Sequence, residues 1–207
     1  ISRGEEFEPW FGKYLKDARL NRKHIILDNG GFEGCIVPAA ALRSFAALLL
    51  EGTSNRNTVE VVLEDAFRSA AMTFEYSKAA NEIISTDSRI HRMYVLHGPT
   101  PSFFESYLVR ASKEIEPHTF GFSYIPTQET YQQEYPYLLP CLVRPRAIVD
   151  LVHQYPQILN DVNIHCLGLH NPAELIAIAS SGVIDRCDSS FAAKAAFHGI
   201  SLCSDHL

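Results

Sequence analysis

One stretch limits what this chain can fold into more than any other. Residues 164–199, IHCLGLHNPAELIAIASSGVIDRCDSSFAAKAAFHG, alternate strand and helix signals with short loops between them. Ile164–Leu169 alternates and carries Gly168 near its end. Asn171-Pro172 is a helix start, with Asn as cap and Pro at the first helical position. Apolar residues recur on a helical period over Ala173–Ser180, and Gly182 closes that helix. Val183–Cys187 is the next strand, and Ser189-Ser190 offers a cap for a further helix over Phe191–His198. Asp188 falls just past the second strand. In a parallel α/β fold, chemistry gathers at that end of the strands. Asp188 is therefore a candidate reactive group by position. The competing reading is that it only caps the following helix.

The rest of the chain repeats the pattern. Strands are expected at Lys23–Leu27, Val59–Leu63, Arg92–Leu96 and Thr119–Ile125, with a doubtful last one at Ser201–Cys203. Helices are expected within Glu5–Leu20 and over Pro38–Leu50, Arg68–Ile84, Ser102–Ile115 and Arg146–Leu159. Pro126–Pro140 is expected to be a long loop, a lid or a partner surface. Strands alternating with helices imply a parallel sheet with helical crossovers. Neither GxGxxG nor GxxxxGK[ST] occurs, so the dinucleotide and P-loop fingerprints fail. Asp28, Glu64, Asp65, His97 and Asp188 follow different strands at one end. That convergence favours an α/β TIM-type (β/α) barrel, incomplete or truncated, over an open doubly wound sheet. No linker interrupts residues 1–207, so one domain is expected.

Composition narrows the function classes. The 207 residues carry a formal net charge of −6, against the basic surface expected of a general phosphate binder. The five cysteines, at 35, 141, 166, 187 and 203, include no CxxC pair, so reduced interior thiols are expected rather than a disulfide framework or a zinc site. No apolar run reaches membrane-spanning length and no signal-peptide pattern opens the chain. A cytoplasmic protein is expected, and the start at Ile1 suggests a processed or trimmed chain.

Two carboxylates, Asp28 and Asp188, each end a strand before a turn of small residues. Such a pair can divide labour between nucleophile and proton carrier. Transfer at a sugar C1′ suits it, because a carboxylate stabilises an oxocarbenium-like transition state. The glycines after Asp28 let a flat group approach the backbone, and Phe32 and Tyr124 are placed to stack on it. The alternative is that Asp28 caps its turn and Phe32 is core. Among the nine histidines, His97, His165 and His170 are the candidates for a metal mouth. With neither HxH nor HExxH present, no metal and no cofactor is expected. His165 is expected to begin its strand, and so to sit at the end opposite the mouth.

At these residues the sequence resembles the tRNA-guanine transglycosylase superfamily, whose members exchange guanine in a nucleic acid for a 7-deazaguanine. Leu27-Asp28-Asn29-Gly30-Gly31-Phe32-Glu33 is similar to the family's DSGGFQ turn. Residues 165–199 are similar to its YLMGVGxPEDL…G(I/V)DxFDC segment, with Asp188 eleven positions before Gly199 as in the family. The two motifs cover about a fifth of the chain. The resemblance implies Asp188 as nucleophile and Asp28 as general acid/base. It implies contacts to the base from Asn29, Gly30, Gly31, Phe32, Glu64, Asp65, His97, Gly121, Tyr124 and Gly168, with the target base flipped out of its stack. Several positions depart from the family. Asn29 and Glu33 replace Ser and Gln, His97 replaces a base-reading Gln, and Phe191-Ala192-Ala193 replaces Pro-Thr-Arg. Phe122-Ser123-Tyr124 stands for the Gly-Gly-Leu-Ala turn, and neither the first strand nor the zinc motif is found. A compact, zinc-free chain resembles the phage and bacterial branch acting on DNA, so DNA is favoured over tRNA as partner. A homodimer or a partner subunit is allowed; a membrane is not expected. Two rivals remain: a non-catalytic subunit that positions nucleic acid, and a barrel metal hydrolase using His97, His170 and an acid.

Overall fold

The computed structural model describes residues 24–28, 37–51, 58–63, 69–169 and 171–188. Six strands form one parallel sheet in sequential order: β1 (Ile25–Leu27), β2 (Val59–Val62), β3 (Ile90–Leu96), β4 (Thr119–Ser123), β5 (Asn163–Leu167) and β6 (Arg186–Cys187). The sheet curls into a half-barrel. Among the described residues seven helices accompany it: α1 (Ala39–Leu50), α2 (Ala70–Ile84), α3 (Pro101–Glu114), α4 (Tyr124–Tyr131), α5 (Pro140–Gln154), α6 (Pro156–Leu159) and α7 (Pro172–Ser181). None of the described helices is long and apolar enough to cross a membrane.

Strand parity separates two faces. Val59, Val61, Tyr94, Leu96, Phe120, Phe122, Ile164 and Cys166 join the main core with helix residues such as Phe74, Phe104, Leu108 and Ile148. Each large apolar side chain buried there contributes about 1.5–3 kcal/mol relative to exposure. The alternate residues face the concave side. There Val62, Met93 and Val95 form a small apolar layer with Leu167 against it.

The helix starts follow their caps. Ser69 Oγ accepts from the Met72 N–H, Thr100 Oγ1 from Phe103 and Asn171 Oδ1 from Ala173. Gly182 ends α7 at φ 68°, a left-handed conformation that glycine adopts without steric cost.

Three expectations need correction. Residues 124–125, expected to end a strand, and 126–131, expected to open the long loop, are helical. Pro126 sits in the first turn of α4, where its missing N–H costs no intrahelical bond. The predicted helix Arg146–Leu159 starts earlier, at Pro140, and breaks after Gln154 where Pro156 opens α6. β6 is only two residues long, not five. The expected helices within Glu5–Leu20 and over Phe191–His198, and the doubtful strand Ser201–Cys203, lie outside the described residues.

Candidate active site at the strand ends

Asp188 follows β6 directly. The β5–β6 register pairs His165 with Arg186 and Cys166 with Cys187, so Asp188 stands one step further along, beside Leu167 and Gly168. Its backbone is tied on both sides: its N–H donates to Cys166 O at 3.2 Å, and its carbonyl accepts from Leu169 N at 2.8 Å. Its side chain is held as firmly. His165 Nε2 donates to Oδ2 at 3.0 Å, and Gly168 N donates to Oδ1 at 2.7 Å. Gly168 has φ 67°, which only glycine adopts freely, and in that conformation its N–H reaches the carboxylate. Half of the Asp188 side chain is nevertheless exposed. Partial burial pushes its pKa up, but the His165 and Gly168 hydrogen bonds outweigh that push, and the carboxyl lies below the ordinary Asp value. Asp188 is thus an ionised, oriented carboxylate, and each oxygen keeps a further lone pair for another atom.

The placement of His165 corrects the expectation drawn from the sequence. β5 begins at Asn163, one residue before the expected start at Ile164, and His165 is the third residue of five, not the one that begins the strand. It is buried, and its side chain meets Asp188 at the C-terminal end of the sheet. Nδ1 is buried too and has no hydrogen-bond partner among the described residues. A histidine that relays protons between an acid and a nucleophile uses both ring nitrogens. Among the described residues the ring engages the acid alone, and the exposed end of the pair is the carboxylate.

Asp28 follows β1, on the C-terminal edge of the same parallel sheet. Alternation assigns it to the face of His24 and Ile26, the concave one, opposite Ile25. The strands bearing the two carboxylates are the outermost of the sheet, yet they meet across its concave side. His24, four residues before Asp28, lies 2.7 Å from Arg186, two residues before Asp188.

That meeting point is a cluster the sequence reading missed. Glu60 of β2 is fully buried. Arg186 Nη1 lies 2.8 Å from its Oε2 and Nη2 donates to Oε1 at 3.1 Å. Thr119 Oγ1 donates to Oε1, and His24 Nε2 lies 3.2 Å from Oε2. Burial alone would raise the Glu60 pKa; the bonds from His24, Thr119 and Arg186 bring it down from 4.5 to about 2. Beside it His91 and His118 stack at 4.4 Å. Burial, with Arg92 and His91 nearby, lowers His118 to about 4. Two charged residues of opposite sign inside apolar strand runs, VEVV and IDRC, were the available signal.

Arg144 of α5 is a second missed residue. It is fully buried, donates from Nε to Glu174 Oε1 at 2.7 Å and from Nη1 to Phe122 O at 2.8 Å, and also donates to Leu167 O. It thereby joins the ends of β4 and β5 to the first turn of α7, on either side of the turn that carries Gly168. Tyr124 lies against its guanidinium at 5.3 Å.

The other expected positions scatter. His97 is buried past β3 and lines a cavity of about 730 Å3 with Ser69, Phe103, Tyr107, Ile125 and Glu129. Gly121 sits inside β4, not at a strand end. A Cβ there would lie 2.9 Å from Leu167 Cδ1 and 3.2 Å from Met93 Sδ, so its missing side chain makes room for the concave apolar layer. Asn29, Gly30, Gly31, Phe32, Glu64, Asp65 and His170 lie outside the described residues. Among the described residues no group of three or more His, Cys, Asp and Glu side chains is placed to hold a metal ion. No family model matches the chain, and no curated protein matches it.

Proposed function

We propose that this chain is a guanine base-exchange transglycosylase on an incomplete TIM-type barrel, inserting a 7-deazaguanine into DNA or tRNA. The observation that carries this reading is the Asp188 carboxylate: ionised, half-exposed, and fixed by His165 Nε2 and Gly168 N at the C-terminal end of β6.

In this proposal an Asp188 oxygen attacks C1′ of the target guanosine. The C1′–N9 bond breaks, its electron pair leaves with guanine, and protonated Asp28 gives guanine a proton. Asp188 is then joined to C1′ as an ester. Asp28, now ionised, removes the N9 proton of the incoming base, whose N9 attacks C1′ and releases the Asp188 carboxylate. Two inversions retain the anomeric configuration. A carboxylate held below its ordinary pKa suits the nucleophile, which must be charged at neutral pH. The sequence motif around Asp28 and the shared concave face of β1 and β6 support Asp28 as its partner.

The test is exchange of labelled guanine, and separately labelled preQ0, into a guanine-containing DNA duplex and into unmodified tRNA. Exchange by the parent and its loss in Asp188→Ala are expected. Exchange by Asp188→Ala at the parent rate would refute the mechanism.

A further inference from the structure

We propose that His165 is a positioning residue for Asp188, donating from Nε2 to Oδ2 and setting the carboxylate's angle of attack. This inference rests on the reading of Asp188 as nucleophile and adds a residue to it.

The geometry assigns the donor. Nε2 lies 3.0 Å from Asp188 Oδ2, which as an ionised oxygen only accepts, so the proton is on Nε2. Nδ1 is buried without a partner among the described residues. The cation beside it in register is Arg186, which β6 carries on the same face, and the guanidinium of Arg186 is engaged by Glu60 and Thr119. Its β4 neighbour in register is Gly121, which has no side chain to compete for the ring.

The ring is also immobile. It is 2 % exposed and rooted mid-strand, whereas the carboxylate it holds is half in water. Without that contact, the Gly168 N–H alone would leave Oδ2 free to swing. Attack on C1′ needs an oxygen held along one line, and misplacement by about 1 Å can cost on the order of 100-fold in rate.

The amide nitrogen of Gln reaches the place of His Nε2, whereas that of Asn reaches only the place of Nδ1. In the labelled-guanine assay, His165→Gln is expected to exchange within about threefold of the parent. His165→Asn is expected to lose about 10- to 100-fold in kcat with KM unchanged. Thermal melting of both variants separates this from misfolding. Equal rates for the Gln and Asn variants would overturn the inference. A measurement on the parent needs no variant to fold. The ring 15N shifts of His165 at neutral pH should report a protonated Nε2. A bare Nε2, with the proton on Nδ1 alone, would equally overturn it. Failure of the underlying reading looks different: Asp188→Ala would then exchange as the parent does. If Asp188→Ala is inactive while Gln and Asn at 165 behave alike, only the role of His165 falls.

Discussion

Two carboxylates on the concave face have opposite surroundings. Glu60, low on the sheet, is fully buried and gripped by Arg186, Thr119 and His24. Asp188, at the upper edge, accepts two hydrogen bonds and keeps half its side chain in water. Both pKa values are lowered, so both groups are charged at neutral pH. The lowered pKa alone therefore does not separate structural from reactive acids. Access does: Glu60 spends its lone pairs on protein donors, whereas Asp188 keeps some for an incoming atom.

Substitution can break this contrast. Asp188→Asn keeps an acceptor for His165 but removes the charge. Base exchange should fall about 10⁴-fold, while urea unfolding shifts by less than about 1 kcal/mol. Comparable losses in both measurements would make Asp188 structural. Glu60→Gln should show the reverse. Arg186 would be left against a neutral partner, at a cost of about 3 kcal/mol in urea unfolding. That is the lower end for breaking a buried pair, because a quarter of Arg186 stays in water.

Acid sharpens the same comparison. The folded-state pKa of Glu60 is about 2 against an ordinary 4.5. Its contribution is therefore fully present above about pH 5 and is lost as pH falls through about 2. Unfolding free energy measured from pH 6 to pH 2 should fall across that window, and Glu60→Gln should flatten the fall. An unchanged slope would contradict the assignment. The smallest effect concerns the support of the Asp188 turn. Asn171→Ala removes the α7 cap and should cost about 1 kcal/mol in thermal or urea unfolding without shifting the pH profile.

Much of the architecture was legible because it depends on local chemistry. The Asn171 cap marks a helix start, and Gly182 marks an end. The alternation of strands with crossover helices anticipates the parallel order. Asp188 was legible because it follows a short strand before a serine pair. His165 was misplaced because the strand's polar first residue, Asn163, looks like part of the preceding turn, and a strand started later puts His165 at its foot. The Glu60–Arg186 pair was missed for a different reason. Its members are 126 positions apart, and only the curl of the sheet brings β2 and β6 face to face. Arg144 and Glu174 are likewise joined only by packing of α5 on α7.

The central claim is that Asp188 carries the sugar during the reaction. Acid-quenching the protein in the act of exchange on guanine-containing DNA or tRNA, followed by proteolysis and peptide mass mapping, tests it directly. The account predicts a nucleic-acid adduct on the peptide bearing Asp188. An adduct on the Asp28 peptide, or continuing exchange with no adduct on Asp188, would contradict it.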